Sequence, residues 1–141
     1  MTSLYDPPRM QEMEGWIKTS RQQSGATLVP TNVRGVAAII KALKRGELTG
    51  ILPDQQPPPE SGEFAPLLGV QTRTMTLINK LLQRSGARGL MCTALRVPGG
   101  WELHFLAVEE ALYNENITIS LAALNRGCLL YTSDAADDPA S

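Results

Sequence analysis

The stretch from Gly46 to Gly69 constrains the fold more than any other part of this 141-residue sequence; it reads GELTGILPDQQPPPESGEFAPLLG. A basic segment with an apolar stripe ends at Gly46, and the short apolar run Leu48–Leu52 follows it. We predict a helix for the first and a β-strand for the second, with three consecutive prolines forcing a loop after them. In open α/β sheets ligands bind beyond the carboxyl ends of strands. Asp54, just past this predicted strand, is therefore a candidate binding residue.

The rest of the chain predicts helices and strands in alternation, which is typical of an α/β fold. We expect a mixed sheet with helices on its faces and a C-terminal hairpin. The predicted helices begin at Asp6–Pro7, at Thr31 or Asn32, at Thr72 or Thr74, and at Asn116, and the first three end at Gly25, Gly46 and Gly86. The other predicted strands are Ala26–Val29, Gly89–Val97 and Trp101–Val108, the last two joined by Pro98-Gly99-Gly100.

Five blocks of sequence occur in an order that resembles a known family. They are Leu4–Arg9, Ser24–Thr31, Ile40–Glu47, Leu52–Gln55 with Phe64–Gly69, and Thr74–Leu77. The family is that of the bacterial lipid A biosynthesis (lauroyl/myristoyl) acyltransferases, within the lysophospholipid acyltransferase superfamily. Its pattern Leu-Pro-Asp-Gln, followed by a Phe-x-Pro-Phe-Phe-Gly-like run, is similar to the fourth block. The resemblance implies that residues 1–127 are the C-terminal part of an acyltransferase domain.

The resemblance also implies a function. Such an enzyme moves a fatty acyl chain from acyl carrier protein to a lipid A precursor in lipopolysaccharide biosynthesis. The expected location is the cytoplasmic face of the bacterial inner membrane, with the membrane surface as a further partner. A histidine acts as general base, oriented by an acidic residue in a His-x4-Asp/Glu motif, and no cofactor or metal is needed. That motif belongs upstream of Leu4 and is absent here, so we expect this fragment to be inactive alone.

Arg9 and Asp54 are the candidate substrate-binding residues. Arg9 falls in the predicted first helical turn, where a guanidinium and free backbone N–H groups together suit an anion. By spacing alone a solvated surface residue is the better interpretation of Arg9, and Asp54 could equally be a residue that merely begins a turn after Pro53. The resemblance favours a role for both in binding the acceptor head group, and we expect them to lie close together on one edge of the sheet.

His104 is the only histidine, and with Glu109 it spells His-x4-Glu. Because His104 lies in a predicted strand, residues five apart point to opposite faces and lie about 16 Å apart. They could not share a proton, so we predict that His104 is not the catalytic base.

Net charge and cysteine content limit which other functions and folds the chain could have. The net charge of −1 indicates no nucleic-acid partner, and two cysteines form neither a disulfide framework nor a metal motif. No apolar run approaches the roughly 18 residues of a spanning helix. Two alternatives remain open: a glycerophospholipid acyltransferase of the same superfamily, and a non-catalytic lipid-binding module.

The last 14 residues differ in composition from the rest. They contain three aspartates and no Lys or Arg, and Cys128–Asp137 resembles one reading frame of a common sequencing adapter. We interpret residues 128–141 as a non-native tail at the end of a truncated gene. We expect this tail to have no defined fold and to pack against nothing.

Overall fold

The structure is a computed structural model that describes residues 1–6, 11–23 and 25–136. It divides the chain into two compact units, one of residues 1–51 and 84–87 and one of residues 52–83 and 88 onward. The predicted α/β class is confirmed. The elements of the first unit are β1 (Thr2–Tyr5), α1 (Gln11–Gln23), β2 (Thr27–Pro30) and α2 (Val33–Lys44). The elements of the second unit are β3 (Gly62–Leu67), β4 (Val70–Met75), α3 (Leu77–Ser85), β5 (Leu90–Val97), β6 (Gly100–Ala107) and α4 (Ile117–Ala136). The last two residues of α3 belong to the first unit.

Strands β1 and β2 are parallel and pair in register from Thr2–Thr27 to Tyr5–Pro30. Helix α2 packs on both strands through a buried stripe that contains Ile39 and Ala42. Its predicted end at Gly46 is confirmed: Gly46 has a φ of 80°, and its N–H donates to the Leu43 carbonyl. A left-handed residue at this place is most easily a glycine, because glycine has no Cβ.

The start of α2 lies unusually close to β2. A Cβ atom at Gly35 would lie only 1.7 Å from the carbonyl oxygen of Pro30. Such a distance is far inside van der Waals contact, so the first turn of α2 can reach this position only with glycine at residue 35.

The prediction of a strand over Leu48–Leu52 is wrong, because the described residues show no regular structure between residues 47 and 52. One backbone hydrogen bond links this segment to β1: the Thr2 N–H donates to the Leu48 carbonyl at 3.0 Å. An apolar run becomes a strand only when a neighbour pairs along its length. Here the pairing with β1 does not extend beyond this bond into a ladder.

The strands of the described residues lie in three separate two-stranded sheets rather than in one mixed sheet. The first is the parallel pair β1–β2, and the others are the antiparallel pairs β3–β4 and β5–β6. The C-terminal hairpin is confirmed, with Val97 and Gly100 as its last pair. The pair β3–β4 was not predicted, and it occupies the residues at which a helix beginning at Thr72 or Thr74 was expected. That helix is α3 and begins later, at Leu77.

The β3–β4 hairpin turns through Leu68 and Gly69, which follow the last pair, Leu67 and Val70. Leu68 has a φ of 51° and Gly69 a φ of 77°, and a type I′ turn has positive φ at both central residues. Glycine adopts this backbone freely, whereas an L-residue in the left-handed region costs about 1–2 kcal/mol. Leu68 is therefore a locally unfavourable residue in its own turn.

The core of the second unit forms where α4 covers β3. Ala65 of β3 is buried against Leu121 and Leu124 of α4. Two sets of buried hydrogen bonds accompany this apolar packing. The Asn125 amide donates to the Pro66 carbonyl at 3.2 Å and to Thr74 Oγ1 at 2.9 Å. Asn79 of α3 donates to Ser120 Oγ at 2.8 Å, and that hydroxyl donates to the Leu112 carbonyl at 2.6 Å. Asn125, Thr74, Asn79 and Ser120 thus each have a hydrogen-bond partner, as buried polar groups usually do.

Helix α4 continues unbroken past Gly127 to Ala136. Cys128 and Leu129 are half-buried. The prediction that the segment after residue 127 lacks a defined fold is therefore wrong for residues 128–136, while residues 137–141 lie outside the described residues. The boundary at residue 127 and the non-native origin of the tail stay predictions.

Candidate functional site

The carboxyl ends of β1 and β2 meet at one edge of their parallel sheet, which is where ligands bind in α/β folds. Asp6 follows β1 and Thr31 follows β2. The Thr31 hydroxyl donates to Asp6 Oδ1 at 3.3 Å, which joins the two strand ends. Both residues are exposed, so this edge presents a carboxylate and a hydroxyl to solvent. We call Asp6, Thr31 and the start of α2 the carboxyl edge.

The start of α2 is capped by the protein itself. Asn32 has extended backbone, and its Oδ1 accepts from the N–H groups of Arg34 and Gly35 at 3.0 and 3.1 Å. This settles the choice between Thr31 and Asn32 in favour of Asn32. The cap occupies two of the donors that an anion would use. Among the described residues, the exposed side chain of Arg34 is a positive group that the start of α2 can offer to a ligand.

Arg9 lies outside the described residues, so its predicted place beside the substrate stays a prediction. The chain places it three residues after Asp6, which belongs to the carboxyl edge. The predicted pairing of Arg9 with Asp54 stays a prediction for the same reason.

Asp54 is exposed in a turn that begins at Pro53. The expectation that it follows a strand is wrong, since Leu48–Leu52 is not a strand. Asp54 lies near α4, and this proximity affects Cys128: burial raises the pKa of the Cys128 thiol, and the negative charge of Asp54 raises it further. The carboxylate is thus free to meet solvent while its field reaches a half-buried thiol.

A second polar cluster lies at the other end of α2. Arg45 forms an ion pair with Glu47 at 2.6 Å, and the Thr2 hydroxyl donates to Glu47 Oε2 at 3.1 Å. The hydrogen bonds from Arg45 and then Thr2 hold the pKa of the Glu47 carboxyl below its usual value. Because each charged group already has a partner, this cluster fastens the chain after α2 to β1.

The structure supports the rejection of His104 as a base paired with Glu109. His104 is exposed in β6, and its Nε2 lies 3.1 Å from Glu102 Oε1. Glu109 lies beyond the end of β6 and forms a two-point ion pair with Arg126, at 2.6 and 3.1 Å. This hydrogen bonding holds the pKa of Glu109 below its usual value and raises the pKa of Arg126. His104 and Glu109 therefore serve different partners.

A small apolar cavity of about 40 Å³ lies between β5–β6 and α4. Met91, Leu106, Leu112 and Leu124 line it, and Glu109 lies at its wall. A water molecule needs roughly 10–15 Å³ on this measure. The cavity thus has room for a few waters at most, and it is too small for a fatty acyl chain.

Asp6 and Thr31 were not predicted as site residues. The signal available in the sequence was their position, each directly after a strand and at the same edge. The sequence pattern instead predicts a helix cap at Asp6 and an alternative helix cap at Thr31. Within residues 1–6, 11–23 and 25–136 no group of three or more His, Cys, Asp or Glu side chains could hold a metal ion. Among the same residues, no helix is long and apolar enough to cross a membrane.

Comparisons with known proteins agree with the sequence blocks. Residues 1–129 match the family model described as bacterial lipid A biosynthesis acyltransferase. Over 99 residues the chain is 35% identical to the lipid A biosynthesis palmitoleoyltransferase of Escherichia coli (strain K12). It is also 35% identical, over the same length, to the lipid A biosynthesis acyltransferase of Shigella flexneri. Each alignment covers 68% of this chain and 31% of the relative, so the matched part is about a third of those proteins. By this match the chain belongs to the bacterial lipid A biosynthesis acyltransferase family.

Proposed function

We propose that this chain is part of an acyltransferase that moves a fatty acyl group from acyl carrier protein to a hydroxyl of a lipid A precursor. The observation that carries the proposal is the family match over residues 1–129. The reaction takes place at the cytoplasmic face of the inner membrane, where the acceptor lipid meets a water-soluble donor. The catalytic base comes from a His-x4-Asp/Glu motif upstream of Leu4, and not from His104 and Glu109, whose side chains contact different partners.

The residues present here bind and orient the acceptor. Asp54 is an exposed carboxylate that can accept hydrogen bonds from sugar hydroxyls. Arg9 supplies a guanidinium, which can hold a phosphate through two parallel hydrogen bonds. Such contacts position the acceptor hydroxyl for attack on the thioester, and positioning of this kind lowers the barrier by removing orientational freedom before the reaction.

The proposal is tested by acyl transfer in a full-length enzyme that contains this sequence. Labelled acyl groups are supplied on acyl carrier protein, and lipid A precursor or lysophosphatidic acid is the acceptor. Transfer to the lipid A precursor is expected. Exclusive transfer to lysophosphatidic acid would instead indicate a glycerophospholipid acyltransferase, and the absence of transfer to either would favour a binding module.

Two substitutions test the binding residues in the same assay. Arg9→Lys should lower kcat/KM by about tenfold or more, because lysine cannot form a bidentate fork. Asp54→Asn should lower it by a similar factor, since the exchange removes the charge and keeps the shape. Arg84→Lys and Glu60→Gln are matched controls at exposed positions. If both test variants keep the turnover of their controls, Arg9 and Asp54 do not bind the substrate.

A further inference from the structure

One side of the β5–β6 hairpin is exposed and almost entirely apolar. Residues that pair across the two strands point to the same side, and successive pairs alternate between the two sides. Met91 and Leu106 are such a pair; both line the cavity beside α4, and a Cβ at Gly127 of α4 would lie 3.0 Å from the Met91 methyl carbon. The alternate pairs therefore point away from α4. We call their exposed apolar side chains the outer face: Leu90, Cys92, Ala94, Trp101, Leu103 and Phe105.

The polarity of the two sides is the reverse of what a half-solvated sheet shows. In such a sheet the covered side is apolar and the side that faces water is polar. Here the polar residues Thr93, Glu102 and His104 lie on the side toward α4, whereas Arg96, paired with Trp101, is the only charged residue among the pairs of the outer face. The four largest apolar side chains of the outer face are 56–66% exposed. A contiguous apolar patch of this kind indicates a contact surface.

The size of the outer face fits one α-helix. Each strand has eight residues, which is about 26 Å at roughly 3.3 Å per residue, and two strands are about 10 Å wide. A helix is about 10 Å across, and roughly 17 residues of helix reach the same length. Since α4 packs on the opposite side of β5, a second helix would complete the order helix, sheet, helix that is typical of an α/β fold.

Neither a second copy of the chain nor a bilayer fits the outer face as well. An area of about 26 Å by 10 Å is far below the roughly 800 Å² that each partner contributes to a standard interface. Among the described strands β6 pairs only with β5, so a bilayer would meet the backbone N–H and C=O groups of its outer edge with hydrocarbon, which cannot bond them. Further polypeptide is the remaining occupant, and the relatives contain it: each alignment covers 31% of the relative, so the larger part of those proteins lies outside the match.

We propose that the outer face packs against an α-helix from the part of the acyltransferase that these 141 residues do not include. The inference rests on the proposed function, because that function makes this chain part of a longer enzyme. The helix presents apolar side chains to β5 and β6 along about five turns. In the complete enzyme the hairpin is thus an interior layer, and Trp101, Leu103 and Phe105 are core residues.

The Cys92 thiol lies within the outer face and reports whether that face is covered. The full-length enzyme that contains this sequence is treated with N-ethylmaleimide, and modification of the tryptic peptide Gly89–Arg96, in which Cys92 is the only cysteine, is followed by mass spectrometry. The 141-residue chain is the matched control, and each rate is divided by the rate in urea. Cys92 should react about tenfold or more slowly in the full-length enzyme, because a thiol under a packed helix reacts only when the structure opens locally.

Replacing Leu103 by threonine tests the same contact through stability. In the full-length enzyme Leu103→Thr should lower the thermal midpoint by about 4 °C or more, because it removes apolar packing and buries a hydroxyl under the helix. In the 141-residue chain, where Leu103 is 56% exposed, the midpoint should stay the same or rise, since threonine is favoured in strands. Val70→Thr in the full-length enzyme is the matched control at an exposed strand position and should leave the midpoint unchanged.

Several results would overturn the proposal. A Cys92 rate in the full-length enzyme equal to that in the 141-residue chain would show that the outer face stays uncovered, as would a Leu103→Thr midpoint that does not fall. Protection of Cys92 that appears only after vesicles of phosphatidylethanolamine and phosphatidylglycerol are added would identify a bilayer as the occupant. Protection that grows with enzyme concentration would identify a second copy.

These measurements are independent of the proposed acyl transfer, because neither needs an acyl donor or a catalytic base. An enzyme that transfers acyl groups while its Cys92 reacts freely refutes the helix contact and leaves the proposed function standing. An enzyme that protects Cys92 but transfers no acyl group does the reverse.

Discussion

Replacing Gly35 by alanine tests the close approach of α2 to β2, on which the carboxyl edge depends. The new Cβ would lie 1.7 Å from the Pro30 carbonyl oxygen, a backbone atom that no side-chain rotation can move away. To restore even a tight contact, the start of α2 must shift by more than about 1 Å. Overpacking of this kind costs about 1–3 kcal/mol, and the better helix propensity of alanine recovers about 0.5–1 kcal/mol. We therefore expect a net loss of about 1 kcal/mol, and of about 2.5 kcal/mol at most.

Gly15→Ala is the matched control for this change. Gly15 also lies within a helix, α1, but a Cβ there would meet no described atom within 4 Å. The same substitution should thus raise the free energy of unfolding by about 0.5–1 kcal/mol. Urea denaturation followed by circular dichroism measures the free energy of unfolding of both variants. In thermal unfolding, the midpoints of the two variants should shift in opposite directions, by about 3 °C per kcal/mol. If Gly35→Ala is as stable as the wild type, α2 does not approach Pro30 as described, and the carboxyl edge is wrongly built.

Three further predictions follow from the second unit. Asp54→Asn should move the alkylation of Cys128 by iodoacetamide to lower pH, because the negative charge that opposes formation of the thiolate is removed. Exposed Cys92 is the internal reference. If the pH profile of Cys128 alkylation does not change, Asp54 does not lie near α4. In a full-length enzyme His104→Ala should keep kcat within an order of magnitude, and a loss of about 10²–10⁴ would identify it as a general base after all. Asn125→Ala should lower the free energy of unfolding by about 2–4 kcal/mol, since it breaks buried hydrogen bonds to Pro66 and Thr74; a change below about 1 kcal/mol in urea denaturation would contradict this.

Local sequence signals were sufficient to predict an element wherever the interactions that stabilise it lie within the segment itself. Asn32 and Gly46 mark the two ends of α2 through a side-chain cap and a left-handed glycine, and both can be recognised in the sequence. The β5–β6 hairpin was predicted for a similar reason, because Pro98-Gly99 interrupts two alternating runs. In each case the decisive interactions lie within a few residues of one another.

Where an element depends on contacts with residues that are distant in the sequence, the prediction from the sequence was wrong or incomplete. Leu48–Leu52 has the composition of a strand, but a strand also needs a partner, and only Leu48 forms a backbone bond to β1. Thr72 and Thr74 precede apolar residues at helical spacing, yet they pair with β3 instead. The turn at Leu68 lacks the usual Asn-Gly signal, so β3–β4 could not be recognised from turn chemistry. The carboxyl edge was missed because Asp6 and Thr31 meet only once β1 and β2 are parallel neighbours.

The buried hydrogen bonds of Asn125 and Ser120 in α4 have a consequence for how the second unit folds. Asn125 reaches back 51 and 59 residues to Thr74 and Pro66, and Ser120 reaches back 41 residues to Asn79. Loops of this length must close before either contact forms, and closure over long separations slows folding. A ribosome that has released β3, β4 and α3 has therefore not yet supplied the helix that covers Ala65. During synthesis this face of the sheet stays exposed until roughly fifty more residues have emerged, which leaves it open to chaperones and to aggregation.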